Sequence, residues 1–375
     1  MTTSVLFEPA EINGMKLPNR FVRSATWAGL ASEEGTCTPK LVGLMRRLAQ
    51  GGVGLIITGY AYVRVDGQAG PWQLGIYRDD LVPGLREMTR ALHEAGARAV
   101  LQIAHAGVYA PSRLTGQTPV AVSDVERVSG GPCRPLSVDG IREVAEAFGE
   151  AGRRAKEAGF DGVQIHAAHG YLLSQFLSPF FNKRTDAYGG QVANRARAVL
   201  DVFRRVRAAV GEDFPVLIKM NCQDFVEGGL TIGESIEVGV LLQQEGIDAI
   251  ELSGGLPTSR KLGPLRVKID STDREAYFRE EAKSFKARLQ VPLILVGGIR
   301  SFEVAERLVE EGYTDHIAMS RPFIREPDLV SRWASGDLRK ATCISDSRCL
   351  AAGRTGEGIY CAVEAREPSE GEAKP

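Results

Sequence analysis

VDGIREVAEAFGEAGRRAKEAGFDGVQIH, residues 138–166, contains one complete helix-to-strand step. Residues 138–157 read as a helix, and Ala158-Gly159 reads as its stop, with glycine taking the left-handed cap. Residues 162–166 then form a short run that is almost entirely apolar, as expected of a parallel strand buried on both faces.

The same step recurs in both directions. Strands are predicted at 21–24, 54–58, 99–103, 216–220, 249–252, 293–296 and 316–320, in addition to 162–166. Helices are predicted at 39–49, 81–94, 193–210, 232–244, 275–288, 301–310 and 326–334, in addition to 138–157. Ala95-Gly96, Glu245-Gly246 and Glu311-Gly312 repeat the helix-ending phrase. Eight strands alternating with eight helices, with no Pro-, Ser- or Gly-rich linker between them, predict an α/β fold: a single-domain (β/α)₈ TIM barrel. An open doubly wound sheet usually has fewer strands and a glycine fingerprint after the first; no Gly-x-Gly-x-x-Gly occurs here. Two stretches fall outside the repeat. Residues 106–137 make a long connection rich in Pro, Gly and Ser, the kind that often serves as a lid. The barrel is expected to occupy 1–340, followed by a C-terminal extension over 341–375 whose polar end, 367–375, reads as disordered.

Composition excludes several classes. The 375 residues are 43% hydrophobic and 25% charged with a formal net charge of −1, an ordinary globular balance. Near-neutral charge gives no electrostatic case for nucleic acid or an anionic membrane as partner. No apolar run approaches the roughly 20 residues that span a bilayer, and residues 1–9 lack the pattern of a secretory signal. Six cysteines are sparse for a disulfide framework, so a reducing cytoplasm is the expected setting.

In such a barrel the active site is built at the carboxyl ends of the strands. Standing there are Ser24-Ala25-Thr26-Trp27, Thr58-Gly59-Tyr60, Gln102 with His105, and His166-Ala167-Ala168-His169-Gly170-Tyr171. The later strands bring Lys219 with Asn221, Ser253-Gly254-Gly255, Gly297-Gly298 and Ser320-Arg321-Pro322. Gly297 and Gly298 would let a phosphate approach backbone N–H groups, and Arg321 adds a charged fork; glycines serving turn geometry alone read the same way. His166 and His169 invite a metal reading, but no third ligand stands near them in sequence. A structural pair and a pair of hydrogen-bond donors remain open. The donor reading has a mechanism, because two imidazole N–H groups aimed at a carbonyl oxygen stabilise enolate-like charge. Tyr171 is either a packed aromatic or a protonated phenol able to act as general acid to a carbanion. Lys219 would be costly to bury without an anion, such as the N1 edge of a reduced flavin. Gln102 both donates and accepts, as a uracil-like edge requires.

Together these residues resemble the Old Yellow Enzyme family, in its bacterial NADH:flavin oxidoreductase branch. The likeness is carried by Leu17-Pro18-Asn19-Arg20-Phe21, Gln102-Ile103-Ala104-His105-Ala106-Gly107, and the stretch from His166 through Phe176 to Leu177-Ser178-Pro179. Asn182-Lys183-Arg184-Thr185-Asp186-Ala187-Tyr188-Gly189-Gly190, Val296-Gly297-Gly298-Ile299 and Ser320-Arg321-Pro322 complete it over nearly the whole chain. The resemblance implies FMN at the barrel mouth, NADH or NADPH as hydride donor, and ping-pong reduction of a small enone-type substrate. It also implies that His166 and His169 hold the substrate carbonyl and that Tyr171 donates the proton. Ser24, Ala25, Thr26, Gly59, Tyr60, Gln102, Lys219, Gly297, Gly298, Ser320 and Arg321 would contact the flavin, Trp27 would face the substrate, and a homo-oligomer (dimer or higher) is implied. Many relatives carry arginine at Lys219, so the contact here would be a point charge rather than a fork.

Two departures stand out. Trp27 aligns where relatives place a small Thr or Cys, and a one-residue shift would put Thr26 there instead. Larger relatives hold an iron–sulfur cluster on four cysteines; Cys343, Cys349 and Cys361 keep the outer spacings, but Asp346 stands in the second place, which points to a remnant. Two other readings are kept. One is a flavin-free aldolase or isomerase that uses Lys219 on a phosphorylated substrate, and the other a non-catalytic FMN-binding electron-transfer module.

Overall fold

Eight short parallel strands surround a common axis in the computed structural model, which describes residues 4–125 and 131–366. They are β1 Phe21–Arg23, β2 Leu55–Ile57, β3 Arg98–Ala104, β4 Gly162–Ala167, β5 Val216–Asn221, β6 Ala249–Ser253, β7 Leu293–Val296 and β8 His316–Met319. Each pairs in parallel with the next, and Ile317 of β8 lies opposite Phe21 of β1, so the sheet closes. The expected (β/α)₈ barrel is the fold. Around it run α1 Pro39–Gln50, α2 Val82–Glu94, α3 Val138–Glu157, α4 Val192–Val210, α5 Ile232–Glu245, α6 Arg279–Lys286, α7 Phe302–Glu310 and α8 Leu329–Ala334.

Local chemistry sets the helix ends. Ser137 caps α3, its Oγ accepting from Gly140 N at 3.0 Å, and Gly159 beyond the far end takes φ +83°. Thr231 and Glu234 form a reciprocal capping box at the start of α5. Two predicted helices are corrected. The one expected over 275–288 begins only at Arg279, because Glu275 is used elsewhere: its carboxylate accepts from the backbone N–H groups of Arg300 and Ser301 and from the Ser301 hydroxyl, capping α7. The one expected over 326–334 begins only at Leu329, after a separate short helix Arg321–Arg325, because Pro327 pushes Glu326 out of the helical region to φ −126°, ψ 83°.

Period two along each strand decides what fills the barrel. Val22, Leu55, Val100, Leu217, Ala249, Ile294 and Ala318 form one apolar layer, closed from below by Ile12, Met15 and Leu17 of an N-terminal hairpin. Two residues further along, five of these strands turn polar side chains to that same inner face, Ser24, Gln102, Lys219, Glu251 and Ser320, while β2 and β7 keep Ile57 and Val296; Gln164 lies beside Leu217 in the register. The barrel is therefore apolar at its base and polar toward its mouth. The long 106–137 connection contains a short helix, Ser112–Thr115, and a strand pair in which Val120–Ala121 lies against Arg134–Pro135. Residues 341–366 dock on the barrel, with Ile359 N donating to Ala28 O. The disorder expected over 367–375 lies outside the described residues. Among the described residues, no helix is long and apolar enough to cross a membrane.

Candidate active site

A buried relay of polar side chains crosses the upper barrel. Gln102 Nε2 donates to Gln164 Oε1 at 2.6 Å, and Gln164 Nε2 donates to Glu251 Oε2 at 2.9 Å. The other oxygen of Glu251 accepts from Ser24 Oγ at 2.6 Å and from Lys219 Nζ at 2.9 Å, while Lys219 also donates to Ser24 Oγ at 2.8 Å. Lys219 thus has an anion of its own, which reading β6 as a purely apolar strand did not foresee. Arg23 lies close enough for Glu251 to support its charge, although burial still lowers its pKa to about 10. Arg23 and Lys219 therefore face one carboxylate, leaving one excess positive charge beneath the mouth.

Above the relay sit the imidazoles. His166 Cα is opposite Lys219 in the β4–β5 register. Its ring stacks on Tyr60 at 6.2 Å and meets Tyr171 edge-on at 5.0 Å and His169 edge-on at 5.4 Å. Burial, reinforced by the nearby Lys219 charge, holds the His166 pKa down at about 3 and puts His169 well below its ordinary value. Both rings are neutral. His169 leaves β4 at φ +59°, fixed by Asn221 Oδ1, which accepts its N–H, and by Ser253 Oγ at 2.8 Å from its Nε2. His166 Nδ1 is buried with no partner. Burial, reinforced by the neighbouring Tyr60 and the hydrogen bond shared with it, raises the Tyr171 pKa well above 10. It stays protonated throughout the neutral range. His105, at the same rim in sequence, is turned instead to Asp66, 3.2 Å from its Nε2.

The glycine turn after β7 is tight. Gly297 and Gly298 take φ +144° and +75°, and a Cβ on Gly298 would come within 2.8 Å of the Tyr277 ring. Beside it, Arg321 donates to Arg266 O, Ser345 O and Ser347 Oγ, and Arg300 donates to Ile269 O and Ala341 O. Arg266 stacks on Tyr277 at 4.5 Å and on Phe278 at 5.0 Å, and its Nε is buried without a partner. None of the three guanidinium groups has an ion pair with a carboxylate among the described residues. Ser320 joins this edge to β1, its Oγ 2.7 Å from Thr26 Oγ1. Thr26 is thus locked between strands. Trp27 instead lines an open cavity of about 600 Å³ together with Tyr60, its Nε1 donating to Pro71 O. Gly59 packs against this corner, where a Cβ would come within 2.8 Å of Thr26 O.

The residues present suit the FMN implied by the sequence. The glycine turn with guanidinium groups lacking carboxylates matches a phosphate, the excess cation matches an anionic ring edge, and the unpartnered His166 nitrogen matches a ligand oxygen. Among the described residues no group of His, Cys, Asp or Glu side chains is arranged to hold a metal ion. Cys343, Cys349 and Cys361 are free thiols near enough to influence one another, and burial raises Cys349 to about 11. Sequence reading placed Ser253 at the rim without a role there, and it missed two members of the site, Gln164 and Glu251. Counting back two residues from His166 and from Ser253 would have found both.

The model of the NADH:flavin oxidoreductase / NADH oxidase family matches residues 5–339. An NADH oxidase of Thermoanaerobacter brockii is 35% identical over 364 residues, 94% of this chain and 54% of that protein, so the chain spans about half the length of this relative. An NADPH dehydrogenase of Bacillus subtilis is 32% identical over 334 residues, covering 89% of this chain and 95% of its own. The solved structure of an old yellow enzyme homologue from Zymomonas mobilis has TM-score 0.75 and 27% identity, covering 91% of this chain and 95% of that one. With almost the whole barrel matched and its mouth suited to a phosphorylated flavin, the chain belongs to the NADH:flavin oxidoreductase / NADH oxidase family of Old Yellow Enzyme type, a family of FMN proteins.

Proposed function

We propose that this protein reduces the C=C bond of small α,β-unsaturated carbonyl compounds at the expense of NADH or NADPH, in a ping-pong cycle with one reactant in the mouth at a time. One observation carries the reading: two neutral imidazoles, one with an unpartnered buried nitrogen, stand against a phenol that cannot ionise near neutral pH. FMN, when bound, would supply the hydride chemistry that links the nicotinamide to the alkene β-carbon. Ser24, Ala25, Thr26, Gly59, Tyr60, Gln102, Lys219, Gly297, Gly298, Ser320 and Arg321 would hold it.

His166 and His169 bind the substrate carbonyl oxygen. As neutral donors they stabilise the charge that gathers there without being drained by a neighbouring carboxylate. Tyr171 Oη gives its proton to the α-carbon, and Tyr60 keeps that hydroxyl oriented. Trp27 forms the wall on the substrate side. The C-terminal extension, over its described residues 341–366, is a cover for this barrel mouth, and the chain assembles as a homo-oligomer of dimer size or larger.

The flavin-free aldolase or isomerase is set aside, since the family is a flavin family and Lys219 is ion-paired with Glu251 at 2.9 Å. The test is optical. Purified protein should show visible flavin bands that bleach with NADPH and return with 2-cyclohexenone. Bands that bleach but do not return with any enone would remove the ene-reductase reading and leave the electron-transfer module.

A further inference from the structure

The cavity of about 600 Å³ over Tyr60 and Trp27 is built partly from outside the βα repeat. Arg113 comes from the short helix in the long connection after β3, and Arg354 comes from the docked C-terminal segment. Both line the cavity, and no acidic side chain does. No ion pair or hydrogen bond engages either guanidinium among the described residues. Most arginines around the barrel's flanks are paired: Arg153 and Arg154 share Asp79, and Arg204 holds Glu245. Two unpaired guanidinium groups over one cavity therefore make a local excess of positive charge beside Tyr60, whose ring stacks on His166 at 6.2 Å.

The segment carrying Arg354 is fixed in place. A Cβ on Gly353 would come within 2.9 Å of the Trp27 ring, so the chain lies directly on the indole. Trp27 is held in turn by Pro71 O at 3.2 Å. The unusual tryptophan and the extension are thus one device, in which the ring supports the backbone that carries the arginine.

We propose that Arg113 and Arg354 form an anion clamp that selects activated alkenes bearing a carboxylate or phosphate at the end remote from the carbonyl. The clamp rests on the ene-reductase reading for the identity of its ligand. The remote anion is gripped at the rim while the carbonyl is gripped by the imidazoles below, and this two-point hold sets which alkene carbon faces the hydride source.

The test uses full-length holoenzyme and two pairs of probes. The reactive pair is (E)-4-oxopent-2-enoate and its methyl ester; the unreactive pair is 4-oxopentanoate and its methyl ester, followed by calorimetry. Wild type should favour each acid over its ester, by roughly ten- to hundredfold for a charge-assisted pair of contacts. Arg113→Ala and Arg354→Ala should each lower the acid-to-ester ratio of kcat/KM and of binding, the double variant should abolish it, and Arg354→Lys should restore part. An unchanged ratio overturns the clamp. A loss that falls on the half-saturation by NADPH instead, with the ratio kept, also overturns it and makes the nucleotide the anion source. If neither the acid nor its ester is reduced, the ene-reductase reading fails, while the calorimetric ratio for the unreactive pair still decides whether the clamp exists.

Discussion

Tyr171 illustrates how much one hydroxyl can be asked to do. Its ring packs edge-on to Tyr60 at 5.6 Å and to His166 at 5.0 Å, and those contacts survive in Tyr171→Phe. What is lost is the hydroxyl, with its proton and its hydrogen bond to Tyr60. Reoxidation by an enone should slow by roughly 10²–10⁴-fold while flavin reduction by NADPH stays near wild type; stopped-flow measurement of the two half-reactions checks this, and equal damage to both contradicts the donor role. His316 carries a different prediction. Burial holds its pKa at about 4, below the ordinary 6.5. Between those values the unfolded chain binds a proton that the folded chain refuses, so stability is whole above pH 6.5 and declines as pH falls toward 4. The share of this one ring is roughly 3 kcal/mol. His316→Gln should flatten the fall of Tm across that window, and an unaltered slope would count against the assignment. Tyr171 and the two histidines were legible in sequence because they follow directly on an apolar strand. Glu251 was not, because a single carboxylate within Ala249–Ser253 hardly disturbs the strand pattern, and its partners Lys219, Ser24 and Gln164 come from three other strands.

At the scale of elements, turns and caps carry the consequences. Gly298→Ala places a side chain at φ +75°, with a cost of roughly 1–2 kcal/mol, and drives its Cβ to 2.8 Å from Tyr277. FMN should be retained more weakly, read by ultrafiltration against wild type; full retention would show that the cradle tolerates a methyl group. Glu275→Ala removes the acceptor that caps α7 and leaves two buried backbone donors and one hydroxyl unmet. A loss of roughly 1–3 kcal/mol is expected from chemical denaturation. Helix existence was readable from the glycine stops and cap residues, since those signals lie within a few positions of each other. The starts of α6 and α8 were misread for physical reasons. Glu275 looks like the first turn of its own helix but serves the next one, and Pro327 acts on the residue before it.

Across the whole molecule, closure and covering matter most. Alternation predicted eight strands, but no local pattern states that Ile317 meets Phe21, nor that the extension folds back over the mouth. Truncation after residue 340 would strip Ala341, Ser345 and Ser347 from Arg300 and Arg321, and Gly353 from Trp27. Two buried cations lose acceptors, so Tm should fall by several degrees and the rim should lose its preference for acids; a truncated chain with wild-type Tm would show that the extension is merely appended. The N-terminal hairpin has an effect of the opposite kind. Ile12, Met15 and Leu17 stopper the barrel from beneath, so among the described residues the barrel interior is closed at its base and polar toward its mouth. In the proposed ping-pong cycle the nicotinamide donor and the alkene queue at that mouth, so each in excess should jam the turn of the other, and steady-state rates should sag at high concentrations of either.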